Sequence, residues 1–378
     1  MSAHLTETTT KKSSASSYPC DLSTRLGRLK LTSPLIGGAC PRTLDAEFRR
    51  QAVQAGVAAL TMPSIFEEQV IRWHRASGRP ITSREEALLE RTQRHYWPTL
   101  ACRDAEAYLD ALRRASTDSP IPIIANMNGY TTCGWLDFAG ELECAGAAAI
   151  ELNVHRGDAR EFDDVVKLER SILDAVMEMQ QAVAIPILLK IDDGLFSVPH
   201  LARKLVSGVD AIVLFGRFPQ VDICLETCRL NASWQLSDAS QASRLTLPLL
   251  QTHSMSPSLG LVASGGIDHP KRFIKALLAG ADAVSVTSAF YRRGPSVART
   301  MLDELRRFMN DKHIADLSGL RDLQPAGFAA DEERLMYISA LSARLEAWTE
   351  SSVEALPSGD RYGHVRSDQD PIATSAGG

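Results

Sequence analysis

The sequence lacks several features that would indicate a class of protein directly. Its 378 residues contain no run of about 18 apolar residues, so no transmembrane helix is expected. Lys and Arg number 41 against 46 Asp and Glu, a balance that gives no electrostatic argument for nucleic acid or an anionic membrane. No G-x-G-x-x-G motif follows the first apolar run, which argues against a dinucleotide-binding fold.

The cysteine pattern excludes further classes. The seven cysteines are scattered, their number is odd, and no C-x-x-C pair occurs, so a disulfide framework, a zinc site and an iron–sulfur site are all disfavoured. Cys224 and Cys228 stand four residues apart, but two thiolates alone make a poor metal site, and we expect no metal. Without an apolar signal sequence at the N-terminus, a reducing cytoplasm is the expected compartment.

Eight short apolar runs recur along the chain, and amphipathic segments lie between them. Continuous runs of this kind are typical of strands buried on both faces of a parallel sheet. The first amphipathic segment, 43–56, is predicted to be a helix that Thr43 caps and Gly56 stops. Strand and helix alternating eight times predict an α/β protein with a closed (β/α)8 TIM barrel. The runs lie at 34–39, 57–62, 121–127, 148–154, 185–191, 210–215, 260–265 and 282–288.

The predicted domain organisation is one barrel with flanking segments. Residues 1–19 are Ser/Thr-rich and are expected to form a disordered leader, and 20–312 are expected to form the barrel. A C-terminal helical extension over 313–350 and a disordered tail over 351–378 complete the chain. Leu26-Gly27-Arg28 is predicted to turn a small N-terminal hairpin that plugs the barrel floor.

Two long insertions, at about 64–100 and 216–257, leave the carboxyl ends of predicted strands. Active sites of this fold lie at that face, so both insertions suit lids or subunit contacts. We expect a homodimer that binds a small-molecule substrate, without nucleic acid or membrane.

Two glycine- and hydroxyl-containing turns indicate a phosphate site. Ser264, Gly265 and Gly266 follow the seventh run, and Thr287 and Ser288 end the eighth. Many barrels of this type hold a phosphate in the loops after strands seven and eight. Glycines let backbone N–H groups approach such an anion closely.

Polar residues at the ends of strands three, four and five indicate which kind of ligand carries the phosphate. Asn126 and Asn128 end the third strand, Asn153 ends the fourth, and Lys190 is a lone cation on the apolar fifth. Lys190 could form a structural ion pair, but a buried lysine without an anionic partner is costly, which favours a bound acceptor. A lysine and several amides at one mouth can face the polar edge of a flat heterocycle.

At this point the chain resembles a known family. The segment 21–39, the strand ends IELN and LLKI, and ASGGI with LLAGADAVSVTSAF are similar to the dihydroorotate dehydrogenase family over roughly residues 20–312. The resemblance implies an FMN-dependent oxidoreductase acting on a CH–CH bond of a small cyclic, dihydropyrimidine-like substrate, as in the conversion of dihydroorotate to orotate in pyrimidine biosynthesis. It implies that the cofactor is bound by Ala39, Asn126, Asn153, Lys190, Ser264, Gly265, Gly266, Thr287 and Ser288.

The chain departs from the family pattern at four places, one of which is the substrate loop with its characteristic Asn, replaced here by the insertion 64–100. Arg156 stands three residues past Asn153, where the family has a Cys or Ser base. The family's lysine after strand two is missing from the segment 62–64. The amide near the end of strand six is replaced around Phe215 and Gly216.

These departures leave the catalytic base open. The candidates are His155, whose intrinsic pKa suits proton transfer, and Cys133, in the loop after strand three. Lys190 is the third catalytic candidate, since its charge would stabilise a reduced, anionic flavin. Asn128 and Arg156 are assigned to the substrate, with Arg156 as a clamp for a carboxylate.

Two alternatives to the flavin enzyme remain open. A phosphate-binding lyase or isomerase barrel without flavin could use Lys190 as a Schiff-base lysine. A non-catalytic homologue could have kept the flavin site and lost the base.

Overall fold

The computed structural model describes residues 20–92, 101–129, 134–154, 164–194, 197–216, 220–325, 334–336 and 338–339. The predicted leader and tail lie outside these residues, as does much of the predicted C-terminal extension. The chain divides into two compact units, residues 1–324 and residues 325–378. In the second unit, the described residues beyond 325 are helical.

Eight parallel strands close into a barrel, and each overlaps one of the predicted apolar runs. Each strand pairs with the next along the chain, and the eighth pairs with the first through Val284 and Leu35. The predicted (β/α)8 barrel is therefore confirmed. In chain order, the barrel strands are Leu35–Gly37, Ala59–Phe66, Ile123–Gly129, Ala149–Val154, Ile187–Ile191, Ala211–Leu214, Gly260–Ser264 and Ala283–Val286.

Helices follow the strands and bury their apolar sides against the barrel, as in Ala105–Asp118, where Tyr108, Leu109 and Leu112 are buried. Short 3₁₀ turns occur at Pro41–Leu44 and Gly134–Asp137. The α-helices are Ala46–Gln54, Glu67–Ala76, Ser83–Thr92, Ala105–Asp118, Phe138–Cys144, Val165–Ala182, Val198–Leu205, Ala239–Ser243, Thr246–Met255, Pro270–Leu278, Ser288–Arg293, Val297–Asp311 and Leu317–Arg321. None of these combines the length and apolar character that a membrane span requires.

The predicted cap of the first helix was wrong. Asp45 is the N-cap, because its carboxylate accepts a hydrogen bond from the backbone N–H of Glu47 at 2.9 Å. The Thr43 hydroxyl instead donates to the carbonyl of Cys40 at 2.7 Å, within the preceding 3₁₀ turn. The predicted stop is confirmed, since the helix ends just before Gly56, whose φ of +91° few other residues adopt.

The barrel interior is apolar at its floor and polar at its mouth. Side chains of a strand alternate between its two faces, so every second residue points into the barrel. The lower interior is one buried apolar cluster. Continuing the alternation toward the carboxyl ends places Asn126, Glu151 and Lys190 inside the barrel above that cluster. Members of the lower cluster are Ile36, Ala58, Ala59, Ile124, Ala149, Leu188, Ala211, Val213, Val262 and Ala283, together with Leu26, Leu29 and Leu31 of the N-terminal hairpin.

The N-terminal hairpin closes the barrel floor, as predicted. Its strands are Thr24–Leu26 and Leu29–Leu31. The Arg28 guanidinium donates to both carboxylate oxygens of Asp210, at 3.0 and 2.8 Å, and the Arg28 backbone N–H adds a third bond at 2.8 Å. Gly27 turns the chain at a φ of +54°, and a side chain there would collide with Asp210. The hairpin is thereby tied to the start of strand six.

Both insertions leave the carboxyl ends of strands, as predicted. The first contains helices Glu67–Ala76 and Ser83–Thr92, and its residues 93–100 lie outside the described part. The second begins with an antiparallel hairpin, Gln220–Cys224 paired with Arg229–Ser233. It then returns to the barrel through helices Ala239–Ser243 and Thr246–Met255.

Asp210→Asn is expected to destabilise the protein at pH 7 by roughly 1–3 kcal/mol, because it removes the charge that Arg28 meets. Burial would raise the pKa of Asp210, but hydrogen bonds from Arg28 and from the backbone N–H of Ile187 outweigh it and lower that pKa. The carboxylate therefore stabilises the fold above about pH 4, and this contribution is lost as the pH falls through the lowered pKa.

Urea unfolding of wild type and Asp210→Asn at several pH values measures the difference. Asp322→Asn, at an exposed aspartate, is the control. A difference between wild type and Asp210→Asn that stays constant from pH 7 to pH 2 would contradict the assignment.

Candidate active site

The register of strands two to five brings the polar strand ends together. Asn126 pairs with Ser64 on one side and with Glu151 on the other. One rung higher, Asn153 pairs with both Asn128 and Lys190. Four neighbouring strands therefore present polar side chains at one edge of the barrel. We call Asn126, Asn128, Glu151, Asn153 and Lys190 the polar layer.

A buried ion pair lies at the centre of the polar layer. The Lys190 Nζ donates to Glu151 Oε1 at 3.1 Å, and the Asn126 Nδ2 donates to the same oxygen at 2.6 Å. Glu151 is 3% exposed and Lys190 is 9% exposed. Because a charge at this depth is costly alone, the two charges and the amide stabilise one another.

A second shell fixes the position of Asn126. Its backbone N–H donates to the Tyr108 hydroxyl at 3.0 Å, and Tyr108 lies on helix Ala105–Asp118. Burial raises the pKa of Tyr108, so its hydroxyl stays protonated. Tyr108 is fully buried, so the third strand is held rigidly where Asn126 enters the barrel.

The pair with Glu151 changes the interpretation of Lys190. A bound acceptor was expected on the premise that Lys190 is buried without an anionic partner, and this premise was wrong, because Glu151 is that partner. Glu151 carried no predicted role, although a glutamate between apolar residues of a buried strand was a signal. The structure leaves Lys190 in the barrel interior at the mouth, as expected, with its charge already balanced.

Two buried polar atoms in the barrel have no hydrogen-bond partner among the described residues. They are Asn126 Oδ1 and Thr61 Oγ1, and both residues are fully buried. Their strands are adjacent, with Thr61 paired to Ile124, two residues before Asn126. Buried polar atoms are usually satisfied by protein, water or ligand, so these two mark a place for a polar group. Thr61 was missed by the sequence analysis, since a single threonine in an apolar run is unremarkable.

The end of strand six packs against the polar layer. A methyl group at Gly216 would lie 3.3 Å from Asn153 Oδ1 and 3.7 Å from Lys190 Cγ. The backbone N–H of Gly216 donates to the carbonyl of Ile191 at 2.7 Å. The backbone of Gly216 thus packs close to Asn153 and Lys190 at the end of strand six.

The strand ends expected to hold a phosphate are also neighbours. Ser264 and Ser285 are register partners on strands seven and eight. Gly38, next to Ala39, approaches so closely that a side chain there would collide with the hydroxyls of Thr287 and Ser285. Strands one, seven and eight therefore converge at this side of the mouth.

Both predicted phosphate turns, Ser264–Gly266 and Thr287–Ser288, meet a segment of the second insertion. Ser288 Oγ accepts hydrogen bonds from the backbone N–H and the hydroxyl of Ser237, at 2.9 and 2.8 Å. A side chain at Gly266 would collide with the Asp238 carbonyl and the Ala242 N–H. We call residues 236–242 the closing segment.

Arg292 holds the closing segment in place. Its guanidinium donates to the carbonyls of Ser237 at 2.6 Å and Leu236 at 3.2 Å, and lies 3.7 Å from the Asp268 carboxylate. Ser237 and Arg292 carried no predicted role. Nothing local could have revealed Ser237, because it lies 51 residues from Ser288 in sequence.

The remaining predicted site residues divide into two groups. Asn128 and Asn153 are half-buried on the upper rung of the polar layer, and Ala39 is half-buried after strand one. His155, Arg156 and Cys133 lie outside the described residues, so their predicted roles stay predictions.

Two cavities open elsewhere on the first unit. One, of about 210 Å³, lies between helices Thr246–Met255 and Pro270–Leu278 and is lined by Arg272 and Lys275. The other, of about 460 Å³, lies at the barrel floor beside Gly27. Neither is lined by residues of the polar layer. Residues 20–92 and the other described ranges hold no group of three His, Cys, Asp or Glu side chains that could bind a metal.

Fold and site together define a (β/α)8 barrel whose strands end in a polar, charged layer, where barrels of this type bind ligands. No family model matches the chain. Curated relatives do match. The catalytic subunit of dihydroorotate dehydrogenase B (NAD(+)) from Thermoplasma volcanium is 24% identical over 196 residues, covering 51% of this chain and 65% of the relative.

The same subunit from a Geobacter species is 25% identical over 205 residues, which cover 53% of this chain and 67% of the relative. These matches span about two thirds of the relatives' length. Among solved structures, DHODH from Eimeria tenella in complex with ferulenol aligns with a TM-score of 0.57 and 16% identity, covering 80% of this chain and 88% of that one. The chain is thus a divergent protein similar to dihydroorotate dehydrogenases, which confirms the resemblance found in the sequence.

Lys190→Met is expected to cost about 3–5 kcal/mol of unfolding free energy, because it leaves the Glu151 carboxylate buried without its cation. The double variant Glu151→Gln/Lys190→Met removes both charges and should recover part of that loss. Urea denaturation of the two single variants and the double variant measures the coupling. A cost below about 0.5 kcal/mol for Lys190→Met would show that the ion pair contributes little to stability. Costs of the two single variants that add up to the cost of the double variant would show that the two charges are not coupled.

Proposed function

We propose that the protein is an FMN-dependent oxidoreductase of the dihydroorotate dehydrogenase type. Its substrate is a small cyclic, dihydropyrimidine-like molecule, and dihydroorotate oxidation in pyrimidine biosynthesis is the first reaction to test. The relatives' names and the barrel support the oxidoreductase class. The scattered cysteines favour a cytoplasmic location.

The observation that carries the proposal is the polar layer together with two unpartnered atoms, one on Asn126 of the layer and one on Thr61 of the neighbouring strand. Lys190 and the amides of Asn126 and Asn153 lie where three adjacent strands end. Asn126 Oδ1 and Thr61 Oγ1 offer buried polar groups that no described residue satisfies. A flat heterocycle with N–H and C=O groups along its edge is a ligand that fits such a set of partners.

The phosphate side of the mouth fits the other end of FMN. Gly265, at a φ of +109°, has no atom within 4 Å of where its side chain would stand, so its backbone is open to an approaching group. The hydroxyls of Ser237 and Ser288 lie next to that turn, and Arg292 adds positive charge beside them. Backbone N–H groups, hydroxyls and a guanidinium are typical partners of a phosphate.

The reaction takes a hydride from one carbon and a proton from its neighbour, which leaves a C=C bond. FMN, when bound, supplies the hydride acceptor. Lys190 would donate an N–H to the ring from its ammonium group, which Glu151 holds in place. Asn128, on the upper rung, and Arg156 are proposed to orient the substrate, and His155 or Cys133 to take the proton.

A Schiff-base lyase is less well supported. Lys190 Nζ donates a hydrogen bond to Glu151 Oε1 at 3.1 Å, and the Asn126 amide donates to the same oxygen. This network engages the nitrogen that would have to form the Schiff base, so Lys190 is poorly placed to act as the nucleophile.

The first experiment identifies the cofactor and the reaction. Purified protein is denatured, the released cofactor is identified by mass, and dihydroorotate oxidation is followed with fumarate, a quinone and NAD as acceptors. We expect FMN and turnover with one acceptor. A colourless protein that does not bind added FMN would refute the proposal. The bound FMN can also be photoreduced and mixed with each acceptor. If only oxygen reoxidises it, the protein is a non-catalytic flavoprotein.

Gly266→Ala is expected to weaken FMN binding at least tenfold. Its φ of +68° disfavours alanine, and the added methyl group would collide with the closing segment. Gly78→Ala is the matched control, since Gly78 has a similar φ of +73° but no atom within 4 Å of the added methyl group. Flavin fluorescence titration measures the two dissociation constants. Equal dissociation constants for the two variants would show that the turn at Gly266 does not take part in FMN binding.

A further inference from the structure

The cavity between helices Thr246–Met255 and Pro270–Leu278 has an apolar inner wall. Its volume is about 210 Å³, and the proposed oxidoreductase reaction makes no use of it. Four of the side chains that line it are both apolar and buried, a lining that suits the hydrocarbon part of a small molecule. These side chains are Leu245, Leu249, Ile267 and Ala276.

The more exposed part of the lining carries positive charge. Arg272 and Lys275 are three residues apart on helix Pro270–Leu278, so their side chains leave the same face of that helix. Arg272 forms an ion pair with Asp268, one turn before it. Lys275 is exposed, and its ammonium group has no ion pair or hydrogen bond with the described residues. None of the described acidic side chains lines the cavity, so an anion is the complementary ligand.

We propose that this cavity is a second ligand site, which binds a small monocarboxylate with an apolar body. The carboxylate meets the charges of Arg272 and Lys275, and the hydroxyl of Thr246, which also lines the cavity, can donate to it. The apolar body lies against the four buried side chains. A second charge or a set of hydroxyls on the ligand would face that apolar wall without partners, at a cost in affinity. The volume limits the size, since 210 Å³ is below the roughly 300 Å³ of the smallest pockets for drug-sized ligands.

The position of the cavity connects it to the closing segment. Ala239 and Ala242 line the cavity and belong to that segment. The backbone N–H of Ala242 also lies so close to Gly266 that a side chain at Gly266 would collide with it. A bound carboxylate therefore stabilises the closing segment against the glycine turn, because the contacts it makes exist only in that position. The site rests on the cavity alone and does not depend on the proposed function.

Titration of purified wild type with hexanoate, acetate and hexan-1-ol, followed by ligand-observed NMR, tests both parts of the site. Hexanoate should bind with a dissociation constant on the order of 1 mM, as expected for a ligand of its size. Acetate lacks the apolar body and hexan-1-ol lacks the charge, so both should bind at least roughly tenfold more weakly. Hexanoate that does not bind at about 20 mM, or acetate that binds as tightly as hexanoate, would overturn the proposal.

Lys275→Glu reverses the charge at the cavity and should weaken hexanoate binding at least roughly tenfold. Lys271→Glu is the matched control. It makes the same change one turn away on the same helix, at an exposed residue that does not line the cavity. Because salt screens exposed charges, the control should keep the dissociation constant within about twofold of wild type.

Circular dichroism verifies that both variants are folded. Hydrogen exchange of wild type locates the ligand even if Lys275→Glu does not fold. Hexanoate should slow the exchange of residues 239–249 and leave the floor hairpin, residues 24–31, unchanged. Equal hexanoate affinity of the two variants, or no slowing over 239–249, would show that hexanoate binds elsewhere and would overturn the proposal. The cofactor experiment does not bear on this result, so failure of one proposal is distinguishable from failure of the other.

Discussion

The interior of a closed eight-stranded barrel has to be filled by its own side chains, and every second residue of each strand supplies them. In this chain the lower rungs are apolar and pack on the N-terminal hairpin. The upper rungs carry Asn126, Glu151 and Lys190, whose charges and amide are tolerable at this depth only when they bind one another. The alternation that builds the core therefore also builds the charged mouth.

The hydrogen bonds among Asn126, Glu151 and Lys190 determine which polar atoms remain available to a ligand. The side-chain N–H of Asn126 donates to Glu151. The side-chain oxygen of Asn126 is therefore directed away from Glu151, and no residue in the described part of the chain donates a hydrogen bond to it. Lys190 gives one N–H to Glu151 and has two more to offer. The mouth thus presents both an acceptor and donors, held rigidly by Tyr108 and by the strand register.

The insertion after strand six contributes two different surfaces. The closing segment joins the two predicted phosphate turns through Ser237, and Arg292 fixes it there. The hairpin before it turns an apolar face to solvent. The exposed hairpin and the residues that contact Ser288 and Gly266 thus belong to one short stretch of chain.

The sequence by itself determined the eight strands, the closed barrel, the floor hairpin and the polar strand ends, since these depend on local patterns of apolar residues, glycines and single polar residues. It also carried the resemblance to dihydroorotate dehydrogenases. The pairing of Lys190 with Glu151, the unpartnered Thr61 and Asn126 oxygens, and the contact of Ser237 with Ser288 were decided only by the tertiary structure. Each of these features depends on residues from different strands or distant loops. Which of those residues meet is determined by the closure of the barrel and by the path of the insertion, and no local sequence pattern encodes either.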